Sequence, residues 1–144
     1  MSIWFDEFPI DYANSRSKNC LVEHLGMELL AAGDDYLKAR MPVDVRTRQP
    51  AGVLHGGASV AFAETLASWA STFVVDRSKY YCVGLEINAN HLRPVSSGYV
   101  YGIVRPVQLG KIIHVWQALV TDEKDKQVCI SRITMAVLNI PQRT

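Results

Sequence analysis

Between Gln49 and Val75 the chain carries a single Asp, Glu, Lys or Arg, and that residue is Glu64. Within this stretch residues 58–75, ASVAFAETLASWASTFVV, hold no Gly or Pro and run too long for a strand. The pattern predicts one long helix, roughly Ala58 to Val75, opened by Gly56 and Gly57. Such an apolar helix must be covered by other elements. Small side chains at Ala58, Ala61, Ala63, Ala67, Ser68, Ala70 and Ser71 predict that its backbone approaches a sheet closely. A carboxylate in a buried helix loses several kcal/mol of solvation. Glu64 therefore needs a partner, a neutral form or a chemical task.

The remaining elements are strands. Met27 to Ala32, a turn at Gly33-Asp34-Asp35 and Tyr36 to Val43 read as a hairpin. A polar loop, Asp44 to Leu54, leads into the helix. Tyr80 to His91, Tyr99 to Leu109, Lys111 to Asp122 and Gln127 to Leu138 follow, rich in Val, Ile, Tyr and Thr and separated by turn residues. The expected class is α+β, a curved, mainly antiparallel sheet around one central helix. Residues 1–144 read as a single domain, with residues 1–20 as an N-terminal lead-in. Whether Trp4, Phe5 and Phe8 of that lead-in cover a site stays open. At least one sheet edge is left free, and dimerisation by edge pairing is its natural outcome.

Composition excludes several functions. The net charge is +1 and no basic run interleaves with aromatics, so nucleic acid is not an expected partner. Residues 56–75 approach the length of a membrane span, but two glycines, Glu64 and five hydroxyls fit a core helix, and no membrane partner is expected. The opening MSIWFDEFPIDYANSRSK is acidic where a secretory signal is basic and apolar. Cys20, Cys82 and Cys129 form no CxxC pair, which predicts reduced thiols and a cytoplasmic setting. His24, His55, His91 and His114 show no ligand spacing, so no metal is expected.

Gly56 and Gly57 leave backbone N–H groups at the positive end of the helix dipole, a place for an oxyanion or a polarised carbonyl. Glu64 has Val60, Ala61, Ala67 and Ser68 at its i±3 and i±4 positions, so no basic residue on the helix pairs with it. Ser68 is its one polar neighbour there, which suits a general base or nucleophile. An arginine from a strand or a partner chain is the competing explanation. At 1.5 Å per residue Gly56 and Glu64 stand about 12 Å apart along the axis. They cannot converge on one carbonyl within a chain, so joint action requires two subunits. His55 and Gln49 are candidate hydrogen-bond donors at the same mouth, and helix capping is the other reading of His55.

The segment RTRQPAGVLHGGASVAFAETLAS, with MPVDVRTRQP, VGLEINANHLRP, the Leu109-Gly110 turn and SRITMAVL, strongly resembles the hotdog-fold acyl-CoA thioesterases. The likeness runs from about His24 to Leu138. It is greatest to the branch holding the 1,4-dihydroxy-2-naphthoyl-CoA, Arthrobacter-type 4-hydroxybenzoyl-CoA and enterobactin proofreading thioesterases. The resemblance implies dimers with shared active sites, commonly joined as tetramers, and hydrolysis of an acyl-CoA, here an aromatic one, without metal or organic cofactor. Glu64 would be the catalytic carboxylate and Ser68 would orient it or the water. Gly57, with His55 or Gln49 assisting, would polarise the thioester oxygen, the donor being open by one residue. Gly56, His91, Arg93, Gly110, Lys111 and Arg132 would bind substrate, the cations meeting the phosphates of coenzyme A. Ala51 and Trp69 depart from the family pattern and bear on the acyl pocket. Hotdog folds also host acyl thioester dehydratases, disfavoured by the HGG-to-Glu64 arrangement, and non-catalytic acyl-CoA binders, disfavoured by the presence of both Glu64 and Ser68.

Overall fold

The computed structural model describes residues 1–141. Its strands are β1 (Glu28–Ala32), β2 (Leu37–Pro42), β3 (Tyr80–His91), β4 (Tyr99–Leu109), β5 (Ile113–Thr121) and β6 (Gln127–Asn139). They form one sheet in the order β1-β2-β4-β5-β6-β3, every pair antiparallel. The long helix α3 (Gly56–Val74) lies between β2 and β3 in sequence and carries the chain across the sheet to its far edge. It packs against β2 through β6. This is the α+β arrangement that the residues predict.

Periodicity explains the layers. In β5, His114, Trp116, Ala118 and Val120 are buried while the residues between them face away from the helix. On α3, Ala58, Phe62, Ala63, Leu66, Ala67, Ala70 and Phe73 form the buried face at three- and four-residue spacing. Burial of Phe62, Leu66, Trp116 and Ile133, all nearly inaccessible, contributes about 1.5–3 kcal/mol each. The helix opens at the two glycines, as expected, with Gly56 its first residue. One expectation changes: Ala61 and Ser68 are only half-buried, on the face opposite the sheet. They fall on the stripe of Glu64 and Thr72, which the 3.6-residue period rotates away from the core.

The lead-in contributes α1 (Ile10–Arg16) and the short α2 (Leu21–His24). The Asn14 amide donates to the Leu29 carbonyl and its oxygen accepts the Leu29 N–H, both at 2.9 Å, so one side chain pairs with the free edge of β1. Trp4 and Phe8 pack edge-on, and Phe8 lies 4.6 Å from the Phe73 ring. They cover the C-terminal end of α3, nine residues and about 13 Å beyond Glu64. The opposite edge, β3, has no strand beyond it among the described residues and exposes Tyr81, Val83 and Leu85. No helix among the described residues is long and apolar enough to cross a membrane.

Candidate active site

Glu64 sits on the outer face of α3, half-buried rather than enclosed. The expectation of a buried carboxylate is corrected here, because α3 buries only its sheet-facing side. Among the described residues it makes no ion pair and no hydrogen bond, so no described arginine of its own chain serves as its partner. The carboxylate leans against β3 at Gly84, where an added Cβ would lie 2.6 Å from Oε1. The register of β3 against β6 shifts between Gly84 and Glu86, a bulge that bends the strand there. Sequence reasoning passed over Gly84, although a lone glycine inside a strand signals close approach of another group.

Glu64 opens into a groove of about 470 Å³ between α3 and α2. Leu21, Val22, Ala61 and Trp69 supply apolar lining. Thr65 and Thr72 donate their hydroxyls to the carbonyls of Ala61 and Ser68, at 2.7 and 2.8 Å. Those hydroxyls are satisfied within the helix, which leaves the Glu64 carboxylate and the Ser68 hydroxyl as the oxygen groups open to a ligand.

The helix N-terminus is a second locus. His55 caps it in extended conformation, its Nδ1 accepting the Gly57 N–H at 2.8 Å. Its carbonyl accepts from Ala58 and Ser59. The expected donor, Gly57, is therefore committed, and the neighbouring Gly56 N–H is the one with no acceptor among the described residues. With Nδ1 accepting, the His55 ring carries its N–H on Nε2. Gly56, Ser59, His91 and Arg93 line a cavity of about 240 Å³. Gln49 closes its own loop, Oε1 accepting the Ala51 N–H at 2.6 Å, with its amide NH₂ left as donor.

The other predicted residues lie elsewhere. Gly110 and Lys111 border a cavity of about 590 Å³ at the C-terminal end of α3, with Lys79 and Tyr80. His114 in its wall belongs to a buried hydrogen-bonded group behind it: Trp116 donates to Ser71 Oγ at 2.7 Å, and Ser71 Oγ lies 3.1 Å from His114 Nδ1. Burial pushes the His114 pKa down, opposed by its hydrogen bond to the Gly110 backbone. Arg132 points away from α3, since its neighbours Ser131 and Ile133 fill the core, and it pairs across to Asn88 and Gln117. Burial raises the Cys82 thiol to about 11 and also raises Cys129, which leaves both poor nucleophiles. One chain thus separates the carboxylate from the open N–H, which Arg93 accompanies, and sets Lys111 and Arg132 apart from both.

Residues 51–129 match the thioesterase superfamily model. The chain belongs to the thioesterase superfamily. The proofreading thioesterase EntH of Cronobacter turicensis is 46% identical to this thioesterase over 136 residues, 94% of this chain and 98% of that one. A mutant of thioesterase PA1618 from Pseudomonas aeruginosa is 47% identical and superposes with a TM-score of 0.95, covering 96% of this chain and all of that one. Thioesterase HI1161 from Haemophilus influenzae gives 46% identity and a TM-score of 0.94, with 98% of both chains covered. The sheet and central helix are those of the hotdog fold, and the chain is a thioester hydrolase.

Proposed function

We propose that this thioesterase hydrolyses an acyl-CoA, with an aromatic acyl group, in a site shared by two chains. Glu64 of one chain attacks the carbonyl carbon or activates water on it, with Ser68 holding the water or the carboxylate. The N–H of Gly56 of the partner subunit takes the developing negative charge on the thioester oxygen, and the Nε2–H of His55 of the partner subunit assists. Water supplies OH to the acyl carbon, the C–S bond breaks, and the thiol of coenzyme A leaves. A thiolate is a good leaving group, so the reading needs no metal or organic cofactor.

The observation that carries this reading is the unpaired Glu64 facing an apolar groove, with the open N–H of its own chain two helical turns away. β3 runs from Tyr80, beside the Lys111 cavity, to His91, beside Gly56. Antiparallel pairing of two β3 edges would set the Gly56 end of one chain against the Gly84 and Tyr80 half of the other. Among the described residues neither Arg93 nor Lys111 is in an ion pair, which suits phosphate binding across that seam. Half-buried Ile103, Leu119 and Ile130 on the outer sheet face support further association into a tetramer. Three free cysteines accord with a cytoplasmic setting.

The test is thiol release from aromatic, short-chain and long-chain acyl-CoAs by wild type and Glu64→Gln. Glutamine keeps the shape and removes the charge, so kcat should fall by roughly three orders of magnitude or more with the fold unchanged. Near wild-type turnover by Glu64→Gln would remove this carboxylate from the mechanism.

A further inference from the structure

We infer that Leu21, on the short helix α2, selects the acyl group by supplying a side wall of the Glu64 groove on which a planar aromatic acyl group packs. The inference rests on the reading of Glu64 as the carboxylate that meets the thioester. Two observations single Leu21 out. It lines the groove with Glu64, Ser68 and Trp69, and it is 58% exposed, so no core contact explains a leucine there. Its neighbour Val22 is half-buried and turns inward toward Leu66 and Trp69, which is a packing role.

The position of Leu21 is fixed rather than left to a mobile loop. The Glu23 carboxylate accepts the Asn19 N–H at 2.7 Å and pairs with Lys18 at 3.2 Å, tying the start of α2 to its own residues. Leu25 and Met27, just beyond α2, are buried in the core. Trp69 is held too, stacked on Phe73 with ring centroids 5.9 Å apart and planes 22° from parallel.

Beside the inward-packed Val22 and the small Ala61, the groove therefore offers an acyl group one rigid indole and the exposed side chain of Leu21. From Glu64 to Thr72 it extends about 12 Å along the helix axis, room for a planar ring system lying along α3. A rigid ring must take its contacts from residues already in place, whereas a flexible alkyl chain can re-route along the groove. Removing Leu21 should then weaken the first more than the second.

The experiment compares kcat/KM for benzoyl-CoA and hexanoyl-CoA in wild type, Leu21→Ala and Leu21→Met, with circular dichroism as the folding control. Leu21→Ala should lower kcat/KM for benzoyl-CoA about tenfold, mainly through KM, while hexanoyl-CoA stays within about twofold. Leu21→Met, of similar reach, should retain most of the benzoyl-CoA activity. Equal effects on both thioesters, or none, in an active enzyme would overturn the role of Leu21 alone. Wild type inert toward both would overturn it together with the reading of Glu64.

Discussion

At the scale of single residues, the carboxylate of Glu64 is placed by the absence of a side chain opposite it. A Cβ on Gly84 would come within 2.6 Å of Oε1, and the flexible end of Glu64 would yield before the backbone does. Gly84→Ala should therefore leave the melting temperature nearly unchanged and lower kcat about 100-fold, since an ångström of misplacement is enough to lose that much. Steady-state kinetics beside thermal unfolding check this, and wild-type kcat in the variant would show that the contact is irrelevant. Glu64 was legible in the sequence because it is the one charge in a long apolar run. Gly84 was legible in principle, yet nothing in the local pattern of β3 names the group that approaches it. The choice between Gly56 and Gly57 was not legible, because it depends on which way the His55 ring turns.

Between elements, the hydrogen-bonded group of Ser71, His114 and Trp116 ties α3 to β5 and fixes the wall beside Gly110 and Lys111. His114 is 2% exposed, and its folded pKa lies below the ordinary value of 6.5 because burial disfavours the imidazolium. The unfolded chain takes up a proton near pH 6.5 that the folded chain refuses. Stability is thus full above that pH and falls as pH drops through the folded value. Urea unfolding from pH 7 to pH 5 should show this fall, and His114→Phe should flatten it. An unchanged slope would show that His114 is not the group responsible. The strands themselves were legible to within two residues at either end, since alternation and turn residues mark them. Their order was not, because β3 looks like any other strand until α3 is seen to carry it to the far edge.

For the whole molecule, the decisive quantity lies in the sequence itself: Glu64 stands eight residue steps along the helix from Gly56, about 12 Å. What the sequence could not supply is how the other residues divide, with Arg93 and His91 at one end of β3, Lys111 at the other, and Arg132 on the far face of the sheet. The central claim is that two chains build each site, and mixing two inactive variants tests it most directly. Glu64→Gln removes the carboxylate. Gly56→Pro removes one N–H at the first helical position, where proline is tolerated, and His55 already has the extended backbone that precedes a proline. Each variant alone should be nearly inactive. After unfolding and refolding together at equal concentration, half of the dimers are mixed and each of those holds one intact site, so activity should return to about a quarter of wild type. No recovery, with mixed dimers present, would mean that each chain works alone and would contradict the account.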